Sequence, residues 1–144
     1  MANSYDVLLA AMQIARKDTG VGGLAGVSGL VGKVVPIVRW EDFADLEAPD
    51  RVPPIATVEI VAAVPNSGAP PMLLVSAQFD AWVPRNSEGL ESQILDRIEV
   101  IMTSTAFGVE KLDVAPTARI RRHWGGFDDG RRRESMDMDF LLTV

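Results

Sequence analysis

Three aspartates stand at spacings that suit a divalent cation. Asp137 and Asp139 lie two residues apart, on one face of any strand that contains them, and Asp80, with Gln78 beside it, sits in a second alternating segment. Carboxylates converging from neighbouring strands hold a hard cation and support metal-assisted hydrolysis, the chemistry of a small metal-dependent nuclease. The competing role is structural. Arg119, Arg121 and His123 alternate onto one face of the preceding segment, and in a hairpin they come opposite Asp137 and Asp139. Cross-strand ion pairs of that kind contribute about 0.2–1 kcal/mol each. His123 is the one histidine, and neither a Gly-x-Ser-x-Gly turn nor a comparable Ser, His and Asp spacing accompanies it. The expectation is therefore no catalytic residue, no metal and no cofactor.

Charge is concentrated elsewhere. Arg131, Arg132 and Arg133, with Arg121 and Arg122 across a turn, bring five cations to one hairpin end of an acidic chain, flanked by Asp128, Asp129 and Glu134. The flanking acids weaken the field that nucleic acid would require, so a docking edge for an acidic neighbour explains the asymmetry better. A positive hairpin on a negative remainder suits head-to-tail assembly into a ring. The candidate interface is Arg121, Arg122, Asp128, Asp129, Arg131, Arg132, Arg133, Asp137 and Asp139. Trp40, Trp82, Trp124 and Phe127 are the aromatic anchors available to it.

The elements that position these groups follow from periodicity. Residues 3–16 predict a helix with a stripe of Val7, Leu8, Ala11, Met12 and Ala15. Residues 18–33 contain a glycine run that predicts a flexible loop; it lacks the strand before it and the residues after it that a phosphate-binding loop needs. Val34 to Trp40 predicts a short strand whose Pro36 suits a sheet edge, and residues 41–54, acidic and proline-bearing, predict an exposed flexible connection. Residues 55–64 alternate as a strand, with Ala56, Val58, Ile60, Ala62 and Val64 on one face. Residues 73–83 form its hairpin partner, with Ser76, Gln78, Asp80 and Trp82 pointing away from the apolar side. A helix from Glu88 to about Thr105, capped by Asn86 or Ser87, carries Leu90, Ile94, Leu95, Ile98, Ile101 and Met102 inward and Glu91, Asp96, Arg97 and Glu99 outward. Residues 117–124 and 134–144 predict a second hairpin across a tip at 125–130, with Asp137 and Asp139 outward. The sum is an α+β fold, an antiparallel β-sheet with two main α-helices packed on one face, forming one domain over residues 1–144.

Composition bounds the function. With 144 residues, 47% of them hydrophobic, the chain suits one compact domain. The absence of cysteine removes disulfides, zinc-thiolate sites and thiol nucleophiles. A net charge of -6 disfavours duplex nucleic acid as a specific ligand. No basic leader opens the chain, and Lys33, Pro36 and several glycines break up the one stretch that faintly suggests a membrane span, so a soluble protein is expected.

The order of elements, the segment Leu74-Val75-Ser76-Ala77-Gln78-Phe79-Asp80-Ala81-Trp82 leading into a helix, and the closing strand Arg131-Arg132-Arg133-Glu134-Ser135-Met136-Asp137-Met138-Asp139-Phe140 together resemble the tail terminator (tail completion, tail-to-head joining) proteins of long-tailed bacteriophages. The likeness runs from residue 4 to the end, and the glycine loop and acidic insertion depart from the family pattern. It implies a homo-oligomeric ring, commonly a hexamer, at the head-proximal end of the virion tail. Such a ring sits on the tail tube protein, ends tube growth and presents the docking surface for the head connector, while genomic DNA passes through without specific binding. Neck, head-completion and minor tail proteins are the alternatives within the same virion.

Overall fold

The computed structural model describes residues 5, 7–9, 11–12, 23–24, 35–44, 54–66, 72–104, 114–128 and 131–143. At the N-terminus Tyr5, Val7, Leu8, Leu9, Ala11 and Met12 are helical (α1). The elements that follow are β1 (Gly23–Leu24), β2 (Val35–Arg39), α2 (Trp40–Ala44), β3 (Ile55–Asn66), β4 (Met72–Pro84), α3 (Leu90–Ser104), β5 (Val114–Asp128) and β6 (Arg131–Thr143). The strands lie in the order β1-β2-β3-β4-β6-β5. All neighbours are antiparallel except β2 and β3, which run parallel with Ile37 opposite Ala56 and Arg39 opposite Val58.

This corrects the expected fold class. The protein is mostly β, with 62% of the described structure in strands, and its sheet is mixed. Among the described residues only α3 is a long helix. Two features of the chain produce the difference. The strands β3 to β6 run for 12 to 15 residues, well beyond the common length of about 5–6. They continue through Pro65, Pro84 and Gly125-Gly126, residues that on local propensity read as boundaries. The segment from 40 to 54 is the crossover that lets β3 return in the direction of β2, as a parallel pair requires. That segment, expected as a loop, opens with the helical turn α2. Within the glycine run Gly23 and Leu24 pair with Pro36 and Val35; residues 18–22, 25–33 and 45–53 lie outside the described residues.

The core forms where α1 and α3 cover one face of the sheet. Phe79, Met136, Met138 and Phe140 from β4 and β6 share a buried cluster with Ile94, Leu95, Ile98 and Met102 of α3 and with Val7, Leu8, Ala11 and Met12 of α1. Each fully buried side chain of this size contributes roughly 1.5–3 kcal/mol. The apolar stripe of α3 is the one its spacing predicts, though the helix begins at Leu90 rather than Glu88. No helix among the described residues is long and apolar enough to cross a membrane.

Register shifts occur at three places, between Ile60 and Ala62, between Pro116 and Ile120, and between Trp124 and Gly126, and the first and last decide which side chains near the site face where. A bulge between Ile60 and Ala62 sets Ile60 opposite Ala77 but Ala62 opposite Ser76 and Val64 opposite Leu74. Cross-strand partners share a face, so Ala62 and Val64 lie on the face opposite to Ile60, where simple alternation had put all three together. The last bulge, between Trp124 and Gly126, continues β5 to Asp128 and leaves only residues 129 and 130 between the strands, a shorter tip than expected. Gly126 has φ +81, and a side chain on Gly125 would meet Arg133 Cγ at 3.1 Å. The bulge therefore depends on glycine at both positions.

Candidate functional site

The face of the sheet opposite the helices carries the residues first considered for metal chemistry. Its side chains lie in rows across the strands. One row runs Glu59, Gln78, Asp137, Arg121; the next runs Thr57, Asp80, Ser135, His123. Asp139 pairs with Ser76, whose hydroxyl donates to it at 2.6 Å. Asp80 is buried and already satisfied: Gln78 Nε2 donates to its two oxygens at 3.2 and 3.3 Å, Arg133 donates at 3.3 Å, and Ser135 donates as well. Asp80 and Asp139 thus act as acceptors for side chains of the sheet itself, whereas the buried Oδ1 of Asp137 has no hydrogen-bond partner among the described residues. Among the described residues no group of three His, Asp or Glu side chains is arranged to hold a metal ion. Asp139, expected to point outward into water, is buried.

Trp82 closes this face at the β6 end. It is 1% exposed, its indole Nε1 donates to the Thr57 hydroxyl at 3.0 Å, and Trp40 stacks on it with ring centroids 5.8 Å apart. The guanidiniums of Arg131 and Arg133 stand 5.2 and 4.9 Å from its ring centroid. Sequence reasoning took Trp82 as a candidate exposed anchor; the structure makes it the centre of a cation–π cluster.

Most of the expected basic edge is spent inside the chain. Arg122 bonds to Asp96 and Glu99 of α3, and Arg132 bonds to Glu91 at 3.1 Å. Ser92 donates to Glu134 at 2.9 Å. Glu91, placed outward by helical periodicity, is buried by this contact, and the bonds together fasten α3 to the β5–β6 hairpin. Arg131 is buried and Arg133 is committed to Asp80 and Trp82. Asp128 lies opposite Arg131 in the register, and Asp129 falls outside the described residues. Arg121 is different: it is exposed, at the outer edge of the sheet.

Two open sheet edges remain, and they differ in character. On one side, β2 accompanies β3 only as far as Val58, so among the described residues the edge from Glu59 to Asn66 has no strand beside it. Val61 and Val64 there are 48% and 54% exposed, and Ala62, Ala63 and Pro65 are exposed too. The only sequence signal of this edge is the uncharged run Ile60-Val61-Ala62-Ala63-Val64, which carries none of the charges that commonly guard an edge strand. A pocket of about 310 Å³ opens where β2 leaves β3, lined by Leu8, Arg39, Trp40, Glu41, Glu59 and Ile60 among others. On the other side β5 is the last strand, and Trp124 and Phe127 near its end are about half exposed, packed edge-to-face at 5.6 Å. Arg85 and Arg132 flank that aromatic pair.

No protein-family model matches this chain, and no curated protein matches it.

Glu59 is the poorly placed charge of the site. Its carboxyl is held above the ordinary 4.5, first by burial and then by the nearby carboxylates of Asp80 and Asp137, with Arg133 opposing them. A carboxylate whose folded pKa exceeds its unfolded value binds protons more tightly when folded. The contribution of Glu59 to stability is therefore fully present below 4.5 and is lost as pH rises through its folded value. Glu59→Gln is expected to raise the urea midpoint at neutral pH by the equivalent of a few tenths to about 1 kcal/mol, allowing for solvent screening. The gain should vanish in denaturation curves recorded at pH below 4.5. An equal gain at both pH values would show that the carboxylate charge is not its cause.

Proposed function

We propose that the chain is a structural subunit of a long phage tail, a tail terminator that closes into a ring on the tube end, halts tube polymerisation and receives the head connector. The observation that carries this reading is the pair of unlike open edges on one sheet. A ring needs two different surfaces on each subunit, one to offer and one to receive, because its contacts are heterologous. The apolar β3 edge and the aromatic, arginine-flanked end of β5 are such a pair, separated by β4 and β6. The resemblance in element order and in the segments 74–82 and 131–140 supports the same reading. An acidic subunit, at net charge -6, suits a channel through which DNA slides, since a basic wall would hold the phosphates.

Negative-stain images of particles assembled without the protein test the proposal. Tails of uncontrolled length, unattached to heads, are the expected result. Tails of normal length that lack only the head would favour the neck or head-completion role, and intact joined virions would refute a role at the head–tail junction altogether.

A further inference from the structure

We propose that two copies of this chain pair through the outer edge of β5, antiparallel about a two-fold axis at the Trp124–Gly125 bulge, in the register that sets Arg121 of each copy opposite Asp128 of the other. Such a contact uses one surface twice, so it goes beyond the ring reading and is tested apart from it.

Four observations lead to it. First, β5 is the last strand of the sheet, and among the described residues no strand lies beside its outer edge. Its unpaired backbone groups are a template for a second strand, and a two-fold axis across the edge makes that strand an antiparallel copy of itself. Second, the bulge restricts the register. Before it, Arg122 and Trp124 pair with Met136 and Glu134 on the helix-covered face, and His123 pairs with Ser135 on the other. After it, Phe127 pairs with Arg132 on the helix-covered face and Gly126 pairs with Arg133 on the other. Opposed residues of two strands share a face, so a shift of one residue either way sets side chains of opposite faces against each other. With the two bulges facing each other, Arg122 stands opposite Phe127, His123 opposite Gly126 and Trp124 opposite Gly125, and the faces agree throughout.

Third, the groups brought together are complementary. Arg121 is exposed and forms no ion pair with a described residue, and the same register gives it an aspartate. The rings of His123 and Trp124 each meet a glycine, which leaves room for an aromatic side chain to cover the neighbouring backbone. Fourth, Trp124 and Phe127, in edge-to-face contact, are 53% and 49% exposed. The axis sets the two aromatic pairs together and takes both from water, the role large aromatic side chains commonly play at the centre of an interface. Because the ring also needs the β5 end, pairing holds free subunits out of the ring.

Hydrogen exchange of the unaltered chain at two protein concentrations tests the contact without any variant. Amides within 121–128 should exchange roughly tenfold or more slowly in concentrated than in dilute solution, while those of the other open edge, 59–66, stay unchanged. Sedimentation velocity of the same samples should show a monomer–dimer equilibrium. Arg121→Asp alone and Asp128→Arg alone should each weaken the dimer roughly tenfold or more, and the two together in one chain should restore it. Trp124→Ala should weaken it roughly thirtyfold or more. Circular dichroism and the urea midpoint of each variant identify loss of folding. A wild-type chain that stays monomeric at its highest soluble concentration overturns the pairing, as does a closed ring in place of a dimer. Protection that appears at 59–66 in place of 121–128, or a double exchange no better than either single one in folded protein, overturns it as well. The tail-length images decide the ring reading separately from each of these results.

Discussion

Trp82→Ala is expected to destabilise the protein by about 3–5 kcal/mol, read as a fall in the urea midpoint with little change in slope. The indole fills the space between Trp40 and the guanidiniums of Arg131 and Arg133, so truncation leaves a large cavity and strips two cations of the ring they face. It also removes the donor to Thr57, whose side chain is wholly buried. Trp82→Phe separates these effects. Phenylalanine keeps most of the apolar volume and a ring face, and lacks the indole N–H, so its loss should be much smaller, on the order of 1–2 kcal/mol. If alanine cost no more than phenylalanine, the packing of the cation–π cluster would not be the source of the stability.

Asp80→Ala should be comparably damaging, about 3–5 kcal/mol in the same measurement. One buried carboxylate here serves Gln78, Ser135 and Arg133 across two strands, and its removal takes the acceptor from all three, of which Ser135 is wholly buried. Arg133 suffers most, since its buried Nε already has no hydrogen-bond partner. Asp80→Asn preserves the shape and part of the hydrogen bonding and discards the charge, so it should fall between wild type and alanine. Because Arg133 bridges Asp80 and Trp82, the Asp80→Ala and Trp82→Ala losses should not add: the double variant is expected to lose less than the sum. Strict additivity would mean that the two residues act independently.

Both side chains were visible in the sequence, and both were assigned to the wrong surroundings. Alternation placed Ser76, Gln78, Asp80 and Trp82 together on one face of β4, and the register agrees. What alternation does not carry is how much of that face is covered. Polar residues at every second position read as solvent-facing, yet Asp80, Ser135 and Asp139 are buried, because the long strands β4 and β6 bring their donors and acceptors together across the pair. The arginines illustrate the same point from the other side. Arg122, Arg131, Arg132 and Arg133 read as a free basic edge, but their partners Asp96, Glu91 and Asp80 come from segments 26 to 53 residues away, a distance at which local pattern is silent. The exposed Glu59–Asn66 edge was missed for a related reason. It exists because β2 stops pairing at Arg39, and only the assembled sheet determines where one strand leaves another unaccompanied.

Residue order alone determined the local elements: the period-two strands, the apolar stripe of α3 and the buried side of α1, each of which follows from the spacing of side chains along a single segment. The tertiary structure decided the rest: the parallel step from β2 to β3, the insertion of β6 between β4 and β5, the bulge that turns Ala62 and Val64 to the opposite face, and the choice of which charges are neutralised within the chain. The physical reason is range. Backbone geometry and side-chain periodicity act over a few residues, whereas strand neighbours, burial and ion pairing depend on which distant segments are brought together.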